Sequence, residues 1–167
     1  MINTANANKV FLALLFTGYP LNRISIAMKQ AAFESKGFTS DLGKYSNNWS
    51  GIEKRSWEQG ADQNDPARFS HFNKTEDWAR AYRHILENFH PVIFNATNID
   101  DFGQAVYDSG YAVKESIGDT PENYTNGMKK YSPDVDYFIK AKELLGAHIL
   151  LIILVALFLF IWKNTRG

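Results

Sequence analysis

The sequence contains no cysteine, which excludes disulfide staples, thiol nucleophiles and thiolate metal sites. It carries no excess of either charge. Its 18 Lys and Arg balance 18 Asp and Glu, so there is no general electrostatic case for nucleic acid as a partner. Glycine patterns that cradle phosphates or dinucleotides are missing, as are calcium-loop spacings, and the four histidines show no zinc-ligand spacing. No metal ion or cofactor is expected. No internal repeat or low-complexity tract interrupts the 167 residues, a length that suits one domain with a real core.

Against these absences stands one long apolar run. Leu144 to Trp162 is about 19 residues without a formal charge. As a helix it would be roughly 28 Å long, close to the ~30 Å hydrocarbon core of a bilayer. Trp162 lies at its edge, where an indole prefers the interface, and Lys163 and Arg166 follow. The run is expected to span a membrane once as a C-terminal anchor. Lys129, Lys130, Lys140 and Lys142 precede it, and the positive-inside count would keep the large N-terminal part cytoplasmic. Val10 to Phe16, after Lys9, mimics a signal peptide, but its apolar stretch is short and its flank barely basic. It reads as a first core helix.

The expected organisation is a body over 1–131, a connecting helix over 132–143, the span over 144–162 and a short basic tail over 163–167. Gly18-Tyr-Pro20 breaks the first helix, and Leu21 to Glu34 forms the second. Lys36 to Asn73 is rich in Gly, Ser, Asn and Asp without a helical period, and reads as a long loop or small irregular sheet lobe. Trp78, Tyr82, Ile85 and Phe89 then recur at helical spacing, with Asn73 and Thr75 as candidate N-caps. Another helix is predicted from an Asn98 cap to a Gly110 stop. Thr120-Pro121 and Ser132-Pro133 each signal a further start. The fold class is mainly α with a small irregular or β lobe, followed by a transmembrane helix.

The chemistry concentrates on Ile24 to Gly37. This apolar helix ends by delivering one carboxylate, Glu34, beside Ala and Phe residues and a glycine. Apolar surroundings and the negative end of the helix dipole both favour the protonated acid. A proton-holding acid at a cleft is what glycosidic cleavage requires, whereas a solvated helix-end glutamate is the plainer alternative.

Gln30-Ala-Ala-Phe-Glu34-Ser, then Asn47-Asn-Trp-Ser-Gly-Ile52, then Gly110-Tyr-Ala112 with Tyr124 beyond, resemble in order the signatures of the flagellar-type N-acetylglucosaminidases, glycoside hydrolase family 73. The resemblance covers roughly residues 20–131 and implies a lysozyme-like fold. It also implies cleavage of the β-1,4 glycan of peptidoglycan, with Glu34 as general acid. By the same resemblance Asn47, Asn48, Gly51 and Ile52 shape the cleft floor, and Tyr111 and Tyr124 face the acid from the far wall. Trp49 either stacks on a sugar or fills the hinge. The chain departs from the pattern in its long spacer before Tyr124. No motif fixes the second carboxylate: Glu53 has the best position, with Glu58, Asp62 and Asp65 also in the lobe. Alternatively the substrate's own N-acetyl group is the nucleophile, ending in hydrolysis or lytic transglycosylation.

The expected partners are therefore peptidoglycan strands, a lipid membrane through 144–162 and, if the setting is a membrane-containing bacteriophage, other virion proteins. Such a setting suits a tail-anchored wall enzyme without a convincing export signal. A non-catalytic glycan-binding or structural membrane protein is the competing class.

Overall fold

The computed structural model describes residues 1–53, 69–111 and 120–165. Its elements are α1 (Thr4–Phe16), a 3-10 turn (Leu21–Arg23), α2 (Ile24–Glu34), α3 (Asp41–Ser46), α4 (Thr75–Phe89), α5 (Pro91–Asn95), α6 (Ile99–Ser109) and α7 (Pro121–Thr165). The expected mainly α class holds. Among the described residues the β structure is one antiparallel bridge, Glu53 to Phe69. Two compact units divide the chain, Met1–Val135 and Asp136–Gly167.

In the first unit, α1 begins where Asn3 Oδ1 accepts from the Asn6 N–H at 3.0 Å, satisfying one orphan donor of the helix start. Ala7, Val10, Ala13 and Leu14 form its buried stripe. Helix α2 is apolar almost all round, buried at Ile24 and from Ile26 to Ala32, as befits the central element. Helix α1 packs against both α2 and α4. Arg83 of α4 ties down the corner between α1 and α2 by donating to the Gly18 carbonyl at 2.8 Å. The Trp78, Tyr82 and Ile85 face of α4 is buried as its spacing predicts.

Several expectations need correction. The lobe between Lys36 and Asn73 contains a helix, α3, capped by Ser40 Oγ, which accepts from Gly43 N at 3.2 Å. Position 74, not Asn73 or Thr75, is the N-cap of α4; it makes no side-chain cap, and the Thr75 hydroxyl donates instead to Asn47 Oδ1 at 3.0 Å. Ser132-Pro133 does not start a helix, because Pro133 lies inside α7. Proline there forgoes one backbone bond, yet Tyr124, Met128 and Val135, all fully buried, keep one face of α7 on the core through that point. The Ser132 hydroxyl donates to the Met128 carbonyl at 3.1 Å.

The boundary between body and connecting helix, expected at 131/132, thus falls within a continuous α7, and the compact units divide at Val135/Asp136. In the second unit Leu144, Leu145 and the described side chains from Leu151 to Leu157 are largely exposed. Among the described residues no helix is long and apolar enough to cross a membrane. The expected span at 144–162 includes 149, 150 and 158–162, whose side chains lie outside that description.

Candidate active site

Glu34 is the last residue of α2. Ser35, which caps the helix, donates its hydroxyl to the Ala31 carbonyl at 2.5 Å and accepts from Phe38 N at 3.1 Å. The chain then turns through three consecutive left-handed residues, Lys36 (φ 52°), Gly37 (φ 73°) and Phe38 (φ 63°). Asn3 N donates to the Gly37 carbonyl at 2.8 Å and Asn6 Nδ2 to the Phe38 carbonyl at 2.9 Å, so α1 braces this turn. The left-handed turn stops α2 at the residue that bears the acid.

Helix α7 comes in from the opposite side. Its Tyr124, fully buried, donates its hydroxyl to Glu34 Oε1 at 2.8 Å. Phe33 meets the Tyr124 ring edge-on, with centroids 5.1 Å apart. The approach depends on Gly127, where a Cβ would fall 2.2 Å from Phe33 Cε2. Behind Tyr124 the bonds continue inward: Gln30 Nε2 donates to the Tyr124 oxygen at 2.8 Å, and the Tyr82 hydroxyl donates to Gln30 Oε1. Tyr82 is held between Trp78 and Tyr19, stacked at 5.4 and 5.8 Å.

Burial raises the Glu34 pKa above the ordinary carboxylate value, and the Tyr124 hydrogen bond, which favours the ionised form, offsets part of the rise. Glu34 is nevertheless an exposed residue: the Tyr124 bond reaches its carboxyl from the protein side while solvent reaches the rest of the side chain. Burial also pushes the Tyr82 and Tyr124 phenols well up, so both are neutral donors. With Oε1 accepting from Tyr124, a proton carried by Glu34 would sit on Oε2.

Of the other anticipated residues, Tyr124 reaches the acid despite its long spacer. The Tyr111 ring meets His90 edge-on at 5.1 Å, and Tyr111 acts electrostatically on both Tyr82 and Tyr124. Glu53 is anchored by its backbone, which bridges Phe69 and accepts from Ser70 Oγ at 3.0 Å. It is not among the groups that perturb Glu34. Glu58, Asp62 and Asp65 lie outside the described residues.

The Asn47–Ile52 segment, expected to shape the cleft floor, spends its side chains on the fold. Asn47, left-handed at φ 49°, donates to the Phe72 carbonyl at 2.9 Å and accepts from Thr75. Asn48 is buried: it donates to the carbonyls of Ile52 and Ser70 at 2.8 and 3.0 Å and accepts from Ile52 N at 2.9 Å. Gly51 turns the loop at φ 66°. Trp49 fills the hinge rather than stacking on a sugar: it is 2 % exposed and lies over Gly43, where a Cβ would sit 2.4 Å from the indole. These residues build the floor from within.

Sequence reasoning gave Gln30 a place in a motif but no role, and read Tyr82 as core. The available signal was spacing, since Gln30 lies one helical turn before Glu34 on the same face. Among the described residues no group of three or more His, Asp or Glu is disposed to hold a metal. An open groove lined by Pro91, Val92, Asp101, Gln104 and Asp108 shares no residue with this cluster.

Comparison with known proteins identifies the family. The glucosaminidase family model, described as mannosyl-glycoprotein endo-beta-N-acetylglucosaminidase, matches residues 17–145. The chain belongs to this family and is a glycosidase, and membership supports peptidoglycan as the glycan it cuts. No curated protein matches it. Among solved structures, a chain from the type VI secretion system effector–immunity complex of Pseudomonas protegens is similar in fold. Its TM-score is 0.56 at 16% identity, over 75% of this chain and 87% of that one.

Proposed function

We propose that this protein cleaves the β-1,4 glycan backbone of peptidoglycan, with Glu34 as the general acid. The observation that carries the reading is the bond from buried Tyr124 to Glu34 Oε1, at a helix end where desolvation raises the acid's pKa. The acid enters the reaction protonated, its Oε2 proton passes to the glycosidic oxygen, and Tyr124 steadies the carboxylate that forms. Tyr111 lines the cleft beside this pair. Among the described residues no second carboxylate acts on Glu34. One acid suffices when the substrate's own N-acetyl oxygen attacks the anomeric carbon. Water then completes hydrolysis, or the sugar's own hydroxyl completes a transglycosylation.

We further propose that the 144–162 run anchors the enzyme in a membrane, supported by its lack of formal charge and by the exposure of Leu151 to Leu157. The substrate would then lie beside that membrane, as in local wall opening by a membrane-containing phage particle or from a host membrane.

The test is release of muropeptides from purified sacculi by the full chain and by Glu34→Gln. Release by the parent and its loss in the variant support the assignment; an active Glu34→Gln overturns it. Mass spectrometry of the products distinguishes reducing ends, from hydrolysis, from anhydro ends, from transglycosylation. For the anchor, Leu154→Arg should release the chain from carbonate-washed membranes, since a central arginine costs about 2.5–3.5 kcal/mol of insertion. Unchanged membrane retention would contradict it.

A further inference from the structure

The bonds behind Tyr124 form a chain that runs in one direction in the structure. A phenol has one proton, and Tyr124 gives its proton to Glu34 Oε1. The Tyr124 oxygen must therefore accept from Gln30, which fixes the amide with Nε2 toward Tyr124 and Oε1 toward Tyr82. Tyr82 donates to Gln30 and is itself hydrogen-bonded to Tyr19, and the stacked rings of Trp78 and Tyr19 prevent it from swinging away. Tyr82 is 1% exposed and Gln30 and Tyr124 are fully buried, so water cannot replace a missing link. Reversing any one bond would leave a buried donor or acceptor unpaired, and reversing them all would make Glu34 Oε1 the donor to Tyr124, which puts the acid's proton on the oxygen that faces the protein.

We propose that Gln30 and Tyr82 are positioning residues of the reaction: the one-way chain Tyr82–Gln30–Tyr124 fixes which oxygen of Glu34 carries the proton delivered to the leaving group. This rests on Glu34 being the general acid. The ionisable groups facing the chain are Tyr19 from the α1–α2 connection, Tyr82 from α4, Tyr111 after α6, and Glu34 and Tyr124 themselves; Arg23, Arg83 and Glu87 act on Tyr19 from outside it. At neutral pH the phenols stay neutral, so the pattern of donors is fixed across the working range.

Gln30→Glu separates direction from packing. A protonated glutamic acid at position 30 donates to Tyr124 and accepts from Tyr82, as the amide does. Once ionised it only accepts, and it draws the Tyr124 proton away from Glu34. Gln30→Met fills similar space with neither function.

The experiment measures kcat and KM on purified sacculi across pH for the full chain, Gln30→Glu, Gln30→Met and Tyr82→Phe, with melting curves to confirm folding. Gln30→Glu should retain parent-like kcat at acidic pH and lose about tenfold or more as pH rises, with its alkaline limb below the parent's. Gln30→Met should be low at every pH, and Tyr82→Phe should lose about tenfold in kcat with KM little changed. Identically shaped pH profiles for the two Gln30 variants and the parent would overturn the proposal, as would full kcat in folded Tyr82→Phe. If Gln30→Met and Gln30→Glu both fail to fold, the Tyr82→Phe profile decides. An active Glu34→Gln in the same series would instead remove the underlying acid assignment.

Discussion

The Gln30–Glu34 end of α2 and the Asn47–Ile52 loop each carry two amide or carboxyl side chains, yet they spend their polar groups differently. At the end of α2 the bonds form a line that leads outward, from buried Tyr82 through Gln30 and Tyr124 to a carboxyl group that water can reach. In the loop they close on themselves: Asn48 bonds Ile52 and Ser70 with both its donors and its oxygen, and Asn47 bonds Phe72 and Thr75. A polar side chain whose bonds are made inside the fold supports that fold, whereas the second oxygen of Glu34 is free of the Tyr124 bond. The two segments should therefore respond differently to substitution, the first in rate and the second in stability.

The largest separation comes from Glu34→Gln, which should lower kcat by about 10³-fold or more. It should do so without weakening the fold. Folding raises the Glu34 pKa, so its stabilising contribution is complete below the ordinary glutamate value of about 4.3 and is lost as pH rises through the folded value. The glutamine variant is spared that loss and should melt at or above the parent temperature at pH 7, as calorimetry would show. In the loop, Asn48→Ala deletes three buried hydrogen bonds and should cost about 2–4 kcal/mol, read as a fall in denaturant midpoint, while kcat per folded molecule stays near the parent's.

Tyr124→Phe should lower kcat by about 10–100-fold. It also removes the bond that holds the Glu34 pKa down, so the alkaline limb of the pH–rate profile should move to higher pH. A limb that moves lower, or a loss in stability alone, would place Tyr124 with the supporting loop. The smallest effect belongs to Asn47→Gly, which suits the left-handed φ of 49° but loses two bonds, for about 1 kcal/mol of stability and no change in rate. A large rate loss there would erase the contrast between the two segments.

Much of this arrangement was legible in the residues. Glu34 stood out because an apolar helix ends on it, and the Asn98 cap and Gly110 stop bound α6 as their residue types predict. What escaped was decided by partners distant in sequence. Whether an asparagine clamps its own loop or meets a ligand depends on which carbonyls lie nearby, and Ser70 is 22 residues from Asn48. Trp49 suits a sugar face or a hinge equally well until Gly43 is seen beneath it. Pro133 looked like a helix start because the local signal is the same, while the buried face of α7 that overrides it extends on both sides. Gln30 gained meaning only when α4 and α7 brought Tyr82 and Tyr124 to its two ends.

Everything at the site turns on Glu34 holding a proton where an ordinary glutamate would not. Carbon-13 NMR of the side-chain carboxyl, assigned by its absence in Glu34→Gln, follows that proton directly as pH is varied. The titration midpoint should lie above the ordinary value of about 4.3 and move further up in Tyr124→Phe. A midpoint at or below that value in the folded parent would contradict the assignment of Glu34 as the acid.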